Sequence, residues 1–266
     1  MDAQSPIRFA ARLRGRQTLL GTVVTLPSVG LAELLAEPLD FVWIDLEHGA
    51  LGPAEVQPLA IAARAAGAAS LVRLGAADDP AIGAALDAGV DGVVVPRVNA
   101  AGEAARVVER LRHPPRGSRG TAARRASDYG RISPPREHPL CLVQVESVAA
   151  VEAAEAMAAV EGVDALVVGC TDLALAMGTR AHPNADRFRG AVAEVQNAAE
   201  AAGIASGIAG PDDPALLAEL AGGRSTVVLL GADVRIYARA LDAAVAGLRR
   251  ELALLAPERK ESHVST

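Results

Sequence analysis

A rhythm constrains this chain more than any motif does. Short apolar runs alternate with longer helical stretches along nearly its whole length. "LLGTVVTL" (19–26), "DFVWIDLE" (40–47), "ASLVRL" (69–74) and "DGVVVP" (91–96) read as four strands. "LCLVQVE" (140–146), "VDALVVG" (163–169), "IASGIA" (204–209) and "STVVLLG" (225–231) read as four more. A helical segment follows each, the last over 234–255. The runs do not alternate strictly, as expected for parallel strands covered on both faces. Eight strand–helix units predict an α/β fold, a closed (β/α)₈ TIM barrel, as one catalytic domain over residues 1–256. An open doubly wound sheet would want a G-x-G-x-x-G after a strand, and the chain carries none. Residues 257–266 are polar and read as a disordered tail.

Composition narrows the partners. Hydrophobic residues make up 51% of the chain but aromatics only 2%. The core must therefore come from Ala, Val, Leu and Ile, which suits helices packed on β-branched strands. The net charge is −6 with no basic stripe, which argues against nucleic acid. Cys141 and Cys170 both sit in apolar settings outside any C-x-x-C pair, which argues against a disulfide framework or zinc knuckle. A reduced, cytoplasmic setting follows. The apolar run near the N-terminus is short and broken by Gly21, a strand rather than a signal peptide. No stretch is long enough to cross a bilayer. The Pro-, Arg- and Gly-rich segment 114–139 is long for a loop in a compact domain, and such loops are usually functional or mobile.

The second strand ends strangely. Phe41, Trp43, Asp45 and Glu47 share one face, while Val42, Ile44 and Leu46 share the other. His48 follows at once. Barrel active sites lie at the C-terminal strand ends. Other strands also put polar groups there: Arg73 on the third, Pro96 and Arg97 on the fourth, Gln144 and Glu146 on the fifth, Asp172 just past the sixth. Each has a bland alternative. A lone strand-end carboxylate often caps a helix, as Asp172 can, and Arg73 can simply pair with a neighbour. Their coincidence on several strands favours one shared mouth.

The residue types suggest the chemistry. Glu146 and Asp172 make a hard oxygen site suited to Mg²⁺ or Mn²⁺, completed by water and substrate. Arg73 can stabilise a negative oxygen. His48, if held by a carboxylate such as Asp45, can serve as a base near neutral pH. "GCTDLALAMG" offers amides at a helix start for a substrate carboxylate. Together these groups bind a 2-oxo acid, move a proton and stabilise an enolate. The single lysine, Lys260, lies in the polar tail, which removes a Schiff-base mechanism.

At these residues the sequence resembles the metal-dependent class II pyruvate aldolases typified by 4-hydroxy-2-oxoheptanedioate aldolase, grouped with the citrate lyase β-subunit. The matching segments are "WIDLEHG", "LVRL", "ALDAGVDGVVVP", "HPPRGSRG", "ARRASDYG", "LVQVES" and "VEGVDALVVGCTDLALAMG". The resemblance implies a barrel of the phosphoenolpyruvate/pyruvate type, in a homohexamer or trimer that exchanges C-terminal helices. It implies His48 as the base, Asp45 and Asp87 as its orienting carboxylates, and Arg73 as the enolate stabiliser. Glu146 and Asp172 would hold Mg²⁺ or Mn²⁺, with Co²⁺ a further candidate, and there would be no organic cofactor. Gln144 would contact substrate, and Gly169, Thr171 and Asp172 would line its carboxylate pocket. Spacing alone does not nominate Asp87, which lies at a helix end and would act across a subunit boundary.

The implied function is a lyase that reversibly cleaves a 4-hydroxy-2-oxo acid to pyruvate and an aldehyde through a metal-bound pyruvate enolate. The alternatives are a related enolate enzyme, such as a CoA-ester lyase or decarboxylating carboligase, and a non-catalytic ligand-binding barrel. Two departures stand out. "GCTD" replaces a common Gly-Pro-Ala-Asp, and Arg97 stands where methionine is common, within reach of the acceptor side. The segment 116–131, "RGSRGTAARRASDYGR", either lines the mouth or forms a solvated or subunit-contacting loop.

Overall fold

A computed structural model describes residues 6–132, 139–178, 186–210 and 212–255. It contains one compact unit, Met1–Asp233, and a second beginning at Val234. In the first unit, eight parallel strands close into a barrel in sequence order. They are β1 (Leu19–Val24), β2 (Phe41–Asp45), β3 (Ala69–Arg73), β4 (Gly92–Val95), β5 (Leu140–Val145), β6 (Ala165–Gly169), β7 (Ala205–Ala209) and β8 (Val227–Ala232). β8 closes on β1 with Leu19 opposite Val227. All eight expected strands form, each shortened or shifted by a few residues. The expected tail, 257–266, lies outside the described residues.

The helices are α1 (Pro6–Arg14), α2 (Val29–Ala36), α3 (Pro53–Ala65), α4 (Ile82–Asp87), α5 (Ala101–Leu111), α6 (Val148–Glu152), α7 (Ala154–Ala158), α8 (Cys170–Ala176), α9 (Asp186–Ala201), α10 (Pro214–Ala221) and α11 (Asp233–Leu255). Two differ from the sequence reading. α1 replaces what reads as a polar lead-in, although Phe9 and Leu13, four residues apart, carry a helical signal. The single helix expected after β5 is split into α6 and α7 by Ala153, at φ −91° and ψ 0°. The second unit holds α11, whose Val234, Tyr237, Leu241, Val245, Leu248, Leu252 and Leu255 form one apolar stripe.

Two apolar clusters fill the first unit. Val42, Ile44, Val72, Val93, Val143 and Val168 face the helix layer. Phe41, Trp43, Leu71, Val94, Leu142, Val167 and Leu229 fill the barrel interior. The faces assigned to β2 from its sequence are therefore the observed ones. Phe9 and Leu13 of α1 join the interior cluster, and the Phe9 ring meets Phe41 with centroids 5.7 Å apart. Gly21 makes room for Phe41, since a Cβ there would sit 2.4 Å from the ring. Phe9 and Phe41 thus plug the N-terminal end of the barrel, and the other end is left to polar side chains.

Candidate active site

The parallel register sets the first contact. Asp45 and Arg73 are direct partners on β2 and β3, both pointing into the barrel. Arg73 donates from Nε and Nη2 to the two Asp45 oxygens, at 2.8 and 2.6 Å. Its guanidinium also lies over the Trp43 ring, 5.5 Å from the centroid. Burial alone would raise the Asp45 carboxyl, but the bonds and charge of Arg73, with the Glu47 and His48 main-chain amides, hold it below its ordinary value. Burial works against the Arg73 charge, yet Asp45, Glu47 and Glu146 outweigh it and keep the guanidinium protonated.

The carboxylate nearest the His48 ring is Glu47. Its Oε2 lies 3.6 Å from His48 Nε2 and 3.3 Å from Arg73 Nη1. Its Oε1 accepts from Arg97 Nε and Nη2, at 3.0 and 2.6 Å. The Glu47 side chain is 4% exposed, whereas that of His48 is 61% exposed. The Asp45 oxygens serve Arg73 and the Glu47 main-chain N–H, which donates at 3.0 Å, and not the His48 ring.

Glu146 is held from both sides. Gln144 Nε2 donates to Oε2 at 2.6 Å, and the Arg97 main-chain N–H donates to Oε1 at 2.7 Å. Arg97 adopts φ +56° to do so, a left-handed conformation unusual for an arginine. Burial, only partly relieved by that amide, and the nearby charges of Glu47 and Asp172 push the Glu146 carboxyl up to about 7. Gly169, ending β6, keeps the space beside it: a Cβ there would lie 2.7 Å from Gln144 Nε2 and 3.2 Å from Glu146 Oε2. Thr171 and Asp172 open α8, where no side chain caps the N-terminal amides.

A pocket of about 510 Å³ opens here, lined by Glu47, His48, Arg97, Asn99, Glu146, Ser147 and Asp172. It joins residues from four strand ends. Gln144 is buried behind Glu146, and one of its two polar atoms, Oε1, lacks a protein partner. Asp87 is not brought to His48 within one chain. It ends α4, at the opposite pole from the mouth, and Arg119 Nη2 lies 3.6 Å from it. Both line a second pocket of about 240 Å³ with His113 and Ser127. The Arg-rich segment docks there too, with Arg125 donating to the Ala88 and Gly89 carbonyls. Within one chain it does not line the mouth. Glu47, Asn99 and Ser147 went unassigned in the sequence reading. Only Glu47 carried a signal, its place on the inward face of β2.

The residues fit a hard divalent cation. Glu146 and Asp172 face one pocket, and Glu146 is an acid crowded by other acids, which a cation would relieve. Among the described residues no cluster of three or more His, Cys, Asp or Glu side chains is arranged to hold a metal. Two carboxylates with water and substrate completing the shell are what Mg²⁺ ordinarily accepts.

A model of the HpcH/HpaI aldolase/citrate lyase family matches residues 30–240. Among curated relatives, a hydroxypyruvate/pyruvate aldolase of Cupriavidus necator is 33% identical, over 94% of this chain and 95% of its own. A 4-hydroxy-2-oxovalerate aldolase of Rhodococcus jostii is 32% identical, over 91% and 96%. A crystal structure of an HpcH/HpaI aldolase/citrate lyase family protein from Burkholderia cenocepacia superposes with a TM-score of 0.84 at 32% identity, covering 90% of this chain and 98% of that one.

Proposed function

The chain belongs to the HpcH/HpaI aldolase/citrate lyase family and is a carbon–carbon lyase, and from its pocket we propose a divalent-metal-dependent, reversible aldol cleavage of a 4-hydroxy-2-oxo acid to pyruvate and an aldehyde. The observation that carries this reading is the convergence of Glu146, Asp172 and His48 on one pocket wall. Glu146 and Asp172 would hold Mg²⁺ or Mn²⁺, which when bound polarises the 2-oxo group. The chain's own residues do the rest. Main-chain amides at Gly169 and Thr171 seat the substrate carboxylate. Arg73, whose charge stands beside Glu47 and Glu146, would stabilise the developing enolate oxygen. His48 takes the C4 hydroxyl proton, the C3–C4 bond breaks, and a proton then returns to C3 of the pyruvate enolate. Gln144 keeps Glu146 in place from behind the pocket wall.

We also propose a homo-oligomer. Asp87 sits in a surface pocket of its own chain, so a role beside His48 requires a second copy. The apolar stripe of α11 gives such a copy a surface to grip. No described helix is long and apolar enough to cross a membrane.

The test is proton exchange. Purified protein is incubated with pyruvate in D₂O, with and without Mg²⁺ or Mn²⁺, and the methyl signal is followed by NMR. Metal-dependent loss of that signal is expected. A rate unchanged in His48→Ala would remove His48 as the base, and no exchange at all would remove the aldolase reading.

A further inference from the structure

We propose that Arg97 selects the acceptor, favouring an aldehyde that carries a carboxylate. The inference rests on the aldolase reading and deepens it. Two arginines stand near the pocket, and they are spent differently. Arg73 is 12% exposed, with Nε and Nη2 on Asp45 and Nη1 3.3 Å from Glu47. Arg97 lines the pocket itself, and its side chain is 64% exposed. A guanidinium carries five N–H donors on two usable edges. Arg97 spends one edge, Nε and Nη2, on a single oxygen of Glu47. Among the described residues its side chain makes no other hydrogen bond.

The root of this arm is fixed while its head is open. The main-chain N–H of Arg97 is tied to Glu146, and its carbonyl accepts from Asn99 Nδ2 at 3.1 Å. Asn99 is in turn bonded by Ser147, which also lines the pocket. The main chain of Arg97 is therefore anchored at Glu146 and its guanidinium at Glu47, which leaves Nη1 unbonded on a side chain that is mostly exposed. A planar fork of donors matches a carboxylate bidentately. An alkyl terminus gives it nothing to bind and leaves the charge as it was.

The experiment compares acceptors that differ only in the terminal group. Rates of condensation with pyruvate are measured for straight-chain ω-oxo acids of two to five carbons and for the alkanals of equal length. The wild type is expected to show kcat/KM higher by about tenfold or more for the oxo acid at its best length. Arg97→Met and Arg97→Gln both keep the main-chain N–H that Glu146 accepts, and both should abolish that preference. The ratio is the readout, because a merely structural defect lowers both acceptors together. A wild type without the preference at every length, or a preference that survives in both variants, overturns this inference alone, provided the wild type exchanges pyruvate protons. A wild type without metal-dependent exchange overturns the inference together with the aldolase reading.

Discussion

Asp45 grips Arg73 through both carboxylate oxygens, at 2.8 and 2.6 Å, and so leaves the His48 ring to Glu47. The strand register dictates this, because Asp45 and Arg73 face each other across β2 and β3. It also makes the pair interdependent, since neither charge is solvated well enough to stand alone.

Asp45→Asn should therefore cost stability. Removing one partner leaves the buried Arg73 uncompensated, a loss of roughly 3–5 kcal/mol. Urea denaturation at pH 7 measures it. The sign with pH also follows. Asp45 is held below its ordinary value, so its stabilisation is present above the unfolded pKa and is lost as pH falls through the folded one. The variant should show a flatter acid limb, and an identical acid limb would contradict the pairing.

Glu146 behaves in the opposite way. Its carboxyl is pushed up to about 7, above the roughly 4.3 of an unfolded glutamate. Its contribution to stability is full below the unfolded value and lost as pH rises through about 7. Chelator-treated protein should melt at lower temperature at pH 8 than at pH 6. Mg²⁺ or Mn²⁺ should restore most of the difference, and Glu146→Gln should flatten it. Melting curves against pH decide this, and a metal-free protein most stable at pH 8 would refute it.

His48→Ala should lower kcat for aldol cleavage by about 10²–10⁴-fold, the usual worth of a positioned proton-transfer group. Steady-state kinetics with a coupled pyruvate assay give the number. A loss under threefold would mean that another group moves the proton.

Gly169→Ala places a methyl 2.7 Å from Gln144 Nε2. The amide must leave Glu146, and divalent-metal affinity should fall by about 10–100-fold, as when a ligand loses its supporting bond. Calorimetric titration with Mn²⁺ checks it, and wild-type affinity would show that Gln144 does not hold the ligand.

Much of this molecule is legible in the chain. The strands announce themselves because the apolar runs are short and most end at glycine, proline or a charged residue. The opposing faces of β2 follow from alternation alone. The helix α1 escapes because it is only nine residues long and three of them are arginines, which make the stretch read as polar. Glu47 escapes a role because its value depends on Arg73 and Arg97, which lie 26 and 50 residues further on. The pole that Asp87 occupies follows from its place at the end of the helix leading into β4, but its partner does not, since Arg119 lies 32 residues further on.

The sequence by itself determined the barrel, the strand ends that bear polar groups and the kinds of group that meet there, because periodicity and residue type are local properties. Tertiary structure alone decided the pairings: Arg73 with Asp45, Arg97 with Glu47 and Glu146, Asp87 with Arg119. Those partnerships are set by strand register and barrel closure, which bring together side chains that no spacing rule connects.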